Sequence, residues 1–137
     1  GYGFAHKRLI ENLMKIKLPF EPSTPAQYAG IGAMDDESHI INTITNNEVG
    51  MKYLIDNFKR MNIAYIKSVT NFITILLDSE ESATNLFDYM LDRGIILRHL
   101  INFGIPHAIR ITIGTKDENT ILVKELEKRM NDDICNG

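Results

Sequence analysis

The sequence predicts an α+β fold: a small, mainly antiparallel sheet of three to four strands with helices on one face. A long bridging helix joins it to N-terminal helices that belong to another body. Three observations predict this. The hydrophobic period changes from about 3.6 to 2 near Ile63. From Asn71 the patterns run strand, helix, strand, strand, helix. Upstream, Ile40, Ile44, Met51, Ile55 and Phe58 keep helical spacing over an unusually long stretch.

The elements follow in order. "FAHKRLIENLMKIKL" places Leu9, Ile10, Leu13 and Met14 on one helical face, with Lys15 and Lys17 near the end where cations favour the helix dipole. Three prolines in "PFEPSTPAQ" then break the chain. Thr24 is the expected N-cap of the next helix, with Pro25 at its first position and Gln27 three residues on, as in a capping box. Gly30, Gly32 and Ala33 in "AQYAGIGAM" suit a buried helix in close contact with its neighbours. "DDESHIINTITNNEVGMKYLIDNFKRMN" reads as one helix, despite Gly50 and a Thr/Asn-rich middle. About 25 helical residues span nearly 40 Å, more than one small core needs, which suggests a bridge between two bodies.

"IAYI" and "NFITILL" read as strands. Asp78 with Glu81 forms an expected second capping box, for a helix burying Ala83, Leu86, Phe87, Met90 and Leu91 and ended by Gly94. "IILR" is a short strand, "HLINFGIPH" a loop, and "AIRITI" a strand expected to insert between the other two, antiparallel to both. Thr115 and Glu118 make a third capping box, for the last helix. The resulting division is 1–35 for the N-terminal helices, 36–62 for the bridging helix and 63–137 for the α+β body.

Composition bounds the function. The 137 residues suit one domain, or one domain and a fragment of another. A net charge of −3 gives no electrostatic footprint for nucleic acid or an anionic membrane. No apolar run approaches the length of a membrane span, and no signal peptide is visible. The single cysteine, Cys135, excludes an intrachain disulfide and fits a reducing, cytoplasmic setting. The opening "GYGFAHKRL" has two readings, a processed or tagged end or a start within a larger protein.

Arg110 stands out chemically. In "AIRITIG", Ile109, Ile111 and Ile113 share one face, so Arg110 and Thr112 share the other. Arg110 is then either a solvated strand arginine or a fork for a carboxylate or phosphate, anions its paired donors match. Arg98 ends the strand expected beside it, so two cations converge on one rim, and an anion between them would relieve their repulsion. His6, His39, His99 and His107 show no metal-ligand spacing, so no metal site is assigned. Asp35, Asp36 and Glu37 suit a helix N-terminus better than catalysis. "GYG" lacks the spacing of a phosphate loop, and no lysine reads as a buried Schiff-base nucleophile.

Taken together, "GYGFA", "PFEPSTPAQYAGIGAMDDESH", "TNFITIL", "RGIILR" and "IPHAIRITIGTKDEN" resemble, in this order, the C-terminal part of histidinol-phosphate aminotransferases and their close relatives. These are pyridoxal-phosphate enzymes of the aspartate-aminotransferase fold type. The resemblance covers Gly1 to about Met130. It implies that residues 1–35 are a remnant of the large cofactor-binding domain. It further implies that the cofactor lysine and an arginine for the cofactor phosphate lie upstream of Gly1, so that the chain holds no catalytic or cofactor-binding residue and is inactive alone.

By the same resemblance, Arg110 matches the arginine that pairs with the donor's α-carboxylate and, in this subfamily, meets the phosphate of histidinol phosphate. Arg98 matches an arginine near that phosphate, and Asn71 a position at the active-site rim. His99 stands where a proline is expected and Met34 where leucine is usual. The implied parent is a cytoplasmic homodimer that transaminates histidinol phosphate and 2-oxoglutarate by a ping-pong route, with the cofactor as electron sink. Its small domain would recognise substrate anions and close over the substrate. The fragment would self-associate, with N-terminal helices exchanged. Related aminotransferases, threonine-phosphate decarboxylases and a non-catalytic small-molecule-binding module are the alternatives.

Overall fold

The computed structural model describes residues 4–19 and 21–135, and side chains as far as Met130. Gly1–Gly3 of the "GYG" opening and the Cys135 side chain lie outside them. Two units make up the chain, Gly1–Ile40 and Ile41–Gly137.

The first unit holds α1 (Lys7–Ile16), α2 (Thr24–Asp35) and the start of α3 (Glu37–Arg60). Neither α1 nor α2 has a buried residue. Leu13 is 47% exposed, Ile16 78% and Tyr28 72%. Within this chain α2 is not buried, and a Cβ on Gly30 or Gly32 would meet nothing within 4 Å. The cap of α2 is corrected. Ser23, in extended backbone, accepts from Ala26 N at 3.4 Å, and Thr24 is already helical. Gln27 instead donates to Pro22 O at 3.0 Å. Asp36 serves α3 at its N-terminus, accepting from His39 N at 2.9 Å and from the Ser38 hydroxyl at 2.7 Å.

The second unit continues α3 and adds β1 (Ala64–Ile66), β2 (Phe72–Leu76), α4 (Glu80–Leu91), β3 (Arg98–His99), β4 (Ala108–Thr112) and α5 (Lys116–Cys135). The sheet order is β1-β2-β4-β3, with every pairing antiparallel. The fold is thus α+β, and "AIRITI" is inserted between two strands as its pattern predicts. Ile73 and Ile75 face Ile111 and Ile109 across the ladder, and all four are buried. Against that face pack Leu54 and Phe58 of α3, Ala83, Leu86 and Met90 of α4, and Leu122, Val123 and Leu126 of α5. Leu91, expected in this core, is 45% exposed.

Gly50 is buried, and its reason lies far away in sequence. A Cβ there would stand 2.5 Å from Ile113 Cγ2 and 2.8 Å from Asn119 Nδ2, so α3 approaches the end of β4 closely. The polar middle of α3 serves the same contact. Asn46 donates to Gly114 O at 3.1 Å, and Asn47 to Thr70 O at 3.3 Å. Asn119 closes the junction, donating to Gly114 O and accepting from Gly114 N, each at 3.0 Å.

Ser79 rather than Asp78 caps α4: its backbone is extended, and its hydroxyl accepts from Ser82 N at 3.0 Å. Gly94 does end this region with φ +75°, a conformation glycine adopts freely. Ile95 N still bonds Met90 O at 2.9 Å, which keeps the chain on the helix. The strand therefore starts at Arg98, later than "IILR" suggests. The Thr115–Glu118 box forms as expected, with Glu118 Oε2 accepting from Thr115 N at 2.7 Å and Thr115 Oγ1 accepting from Glu118 N at 3.4 Å. Among the described residues no helix is long and apolar enough to cross a membrane.

Candidate functional site

Strand alternation and register build one row of side chains across the sheet. Thr74 on β2 stands opposite Arg110 on β4, and Arg98 on β3 stands opposite the other side of Arg110. Because Ile109 and Ile111 face the helices, this row lies on the opposite face. Thr74 is buried, Arg110 half-buried and Arg98 exposed. The two arginines singled out in the sequence are thus cross-strand neighbours.

Among the described residues no carboxylate pairs with either of them. Arg60, by contrast, pairs with Glu127, and Arg93 with Glu125 at 3.4 Å. Like charges directly opposite on antiparallel strands are unfavourable by a fraction of a kcal/mol, roughly 0.2–1. Arg110 carries a second cost: its Nε is buried with no hydrogen-bond partner. An unmade buried hydrogen bond costs about 1–3 kcal/mol. An anion at this row would offset the repulsion.

Aromatic rings are what the two guanidinium groups do touch. Arg110 Cζ is 4.9 Å from the Phe72 ring centroid, and Arg98 Cζ is 5.6 Å from that of Phe103. Phe72 lies opposite Thr112, two residues beyond Arg110 along β4. Phe103 lies in the 3-10 turn after β3 (Ile101–Phe103), toward the other end of β4. The two heads therefore lean toward opposite ends of the sheet, which eases their repulsion.

Thr74, Phe72 and Phe103 were not singled out by sequence reasoning. Alternation in "NFITIL" puts Phe72 and Thr74 on the face away from Ile73 and Ile75, which was the available signal. His99, expected in a loop, belongs to β3 and opposes Ile109, so it faces the helices. Its ring lies 6.0 Å from Phe87, and Nε2 donates to Pro106 O at 2.6 Å. Because a carbonyl only accepts, Nε2 carries the proton. His99 thus ties β3 to the end of the 100–106 segment. Asn71 is exposed and outside the arginine row; its carbonyl accepts from Ile113 N at 2.9 Å. It lines an open groove with Asn47, Met51 and Thr70 beside α3.

Among the described residues no group of three His, Cys, Asp or Glu could hold a metal ion. Every lysine of the chain is exposed. A Schiff-base lysine works from a desolvated setting, which none of these lysines has within this chain.

Residues 1–126 match the family described as Aminotransferase class I and II. The chain is 41% identical over 128 residues to a histidinol-phosphate aminotransferase of Campylobacter jejuni, and 39% identical over 128 residues to one of Campylobacter lari. Each alignment takes in 93% of this chain and 35% of the relative, so the chain spans about a third of their length. Among solved structures, the histidinol-phosphate aminotransferase of Clostridium acetobutylicum superposes with a TM-score of 0.75 at 20% identity, over 93% of this chain and 39% of that one. That likeness extends the shared fold to nearly the whole chain. With its α+β body and with residues 1–126 matching, the chain belongs to the class I and II aminotransferase family.

Proposed function

We propose that this chain is the C-terminal third of a pyridoxal-phosphate-dependent aminotransferase acting on histidinol phosphate and 2-oxoglutarate. Its task is to recognise the anionic groups of the substrates and to close over them. The single observation that carries this is the Arg98–Arg110 row, two adjacent cations with no paired carboxylate among the described residues. The match to relatives named histidinol-phosphate aminotransferases supports the substrate class.

Family membership implies pyridoxal phosphate in the parent, where the cofactor supplies the electron sink. By the family resemblance, the lysine that attaches the cofactor belongs to the remainder of the parent, and the exposure of every lysine in this chain supports that reading. The parent is then a cytoplasmic homodimer, 1–35 part of its large domain, 36–62 the bridging helix and 63–137 the small domain.

Arg110 receives the carboxylate of the amino donor or the phosphate of histidinol phosphate, through donors that match either anion. Arg98 stands beside it for the phosphate. Transaminase assays on the full-length enzyme, wild type and Arg110→Lys, against histidinol phosphate and a panel of amino donors test this. Activity confined to other donors, or decarboxylation of a phosphorylated threonine, would replace the substrate assignment. Unchanged kcat/KM in both half-reactions of Arg110→Lys would remove the anion role.

A further inference from the structure

Arg110 is steered by a ring as well as by its strand. Phe72 opposes Thr112, so it is the diagonal neighbour of Arg110 on the same face of the sheet. Diagonal neighbours on antiparallel strands lie within reach of aromatic and long side chains. Cζ of Arg110 sits 4.9 Å from the Phe72 centroid, inside the range of a cation–π contact. Phe72 is itself half-buried and part of a five-residue strand, so the ring is held in place.

The geometry of the contact matters. A guanidinium group carries all its donors in its own plane. A ring that attracts the cation through its π cloud need not occupy those donors. A carboxylate at the same place would take two of them and cancel the charge. Phe72 therefore offers a hold that leaves Arg110 able to bind an anion. The ring beside Arg98 belongs to Phe103, 60% exposed and 5.6 Å away, which is a looser hold.

Resting on the reading that Arg110 receives the substrate anion, we infer that Phe72 is a positioning residue of this site: it orders the Arg110 guanidinium before the anion arrives. Ordering a group in advance removes part of the cost of binding.

The test titrates inorganic phosphate into the 137-residue chain and follows the Arg110 Nε–Hε signal by NMR. Phe72→Leu keeps an apolar side chain without a ring and should weaken phosphate binding about 2- to 5-fold. Phe72→Tyr keeps the ring and should bind within about 1.5-fold of wild type. In the wild type, the ring should also displace the Arg110 side-chain signals upfield, an observation that needs no variant. Arg110 signals at ordinary positions in the wild type, or equal phosphate affinity in Phe72→Leu, would overturn the positioning role. If Arg110→Lys loses phosphate while Phe72→Leu keeps it, only the positioning role falls. If phosphate never moves the Arg110 signal, the anion reading falls and takes this inference with it.

Discussion

Arg98 and Arg110 stand directly opposite each other on antiparallel β3 and β4, and among the described residues no carboxylate is paired with either. A strand pair does not keep such an arrangement for its own stability. It is consistent with a ligand that brings the missing negative charge.

In the full-length enzyme, Arg110→Lys keeps the charge and loses the planar fork. A charge-assisted hydrogen bond contributes about 1.5–3 kcal/mol, so kcat/KM should fall roughly 10- to 100-fold. Arg98→Ala should penalise phosphorylated substrates more than glutamate. Steady-state kinetics with both substrates, for both variants, separates the two roles.

Gly50→Ala should destabilise the chain although alanine is the better helix former. The new Cβ would meet Ile113 Cγ2 at 2.5 Å, and a β-branched strand residue has little room to turn away. Overpacking of this kind costs about 1–3 kcal/mol, against about 1 kcal/mol of propensity gained. Urea unfolding reads the difference as a lower midpoint.

Ser79→Ala should cost about 0.5–2 kcal/mol, the usual loss of an N-cap. Asp78→Ala should cost much less, because Ser79 and not Asp78 accepts from Ser82 N. The same unfolding measurement ranks the two.

Glu118 gives the chain an acid-sensitive contact. Hydrogen bonds from the Thr115 N–H, and then from its hydroxyl, hold this carboxyl below its ordinary 4.5. A carboxyl whose pKa is lower folded than unfolded stabilises the fold above the unfolded value, and that contribution disappears as pH falls through the folded one. Glu118→Gln should therefore lose less stability than wild type between neutral pH and about pH 3. Thermal midpoints across that range check the sign.

The exposed apolar residues of α1, among them Leu13 at 47% and Ile16 at 78%, should drive self-association of this chain. Sedimentation should show mass rising with concentration, and Leu13→Glu with Ile16→Glu should suppress it. A clean monomer at high concentration would contradict the expectation.

The insertion of "AIRITI" between two strands was legible from the order of the elements, and the face taken by Arg110 from period. Alternating isoleucines in "AIRITI" fix which face Arg110 takes, and β-branched runs mark β2 and β4. Caps were legible only to within a residue. Ser23 and Thr24, or Asp78 and Ser79, are adjacent cap formers, and backbone angles choose between them. Gly50 looked like a weakness in a helix because its partners, Ile113 and Asn119, are more than sixty positions away. Phe72 escaped notice for the same reason: a diagonal contact needs a register that no local pattern supplies.

The sheet order β1-β2-β4-β3 has a consequence for how the protein is made. Of the four strands of this sheet β4 is the last to leave the ribosome, yet it is the one on which β2 and β3 both pair. Until Ala108–Thr112 emerges, β2 has only short β1 beside it, and β3 has no strand partner at all. A nascent chain halted before Ala108 would carry an exposed, isoleucine-rich strand edge of the kind that aggregates or recruits chaperones. Vectorial synthesis therefore delays closure of this sheet until β4 has emerged, and during that interval its unpaired strand edges are open to misassembly.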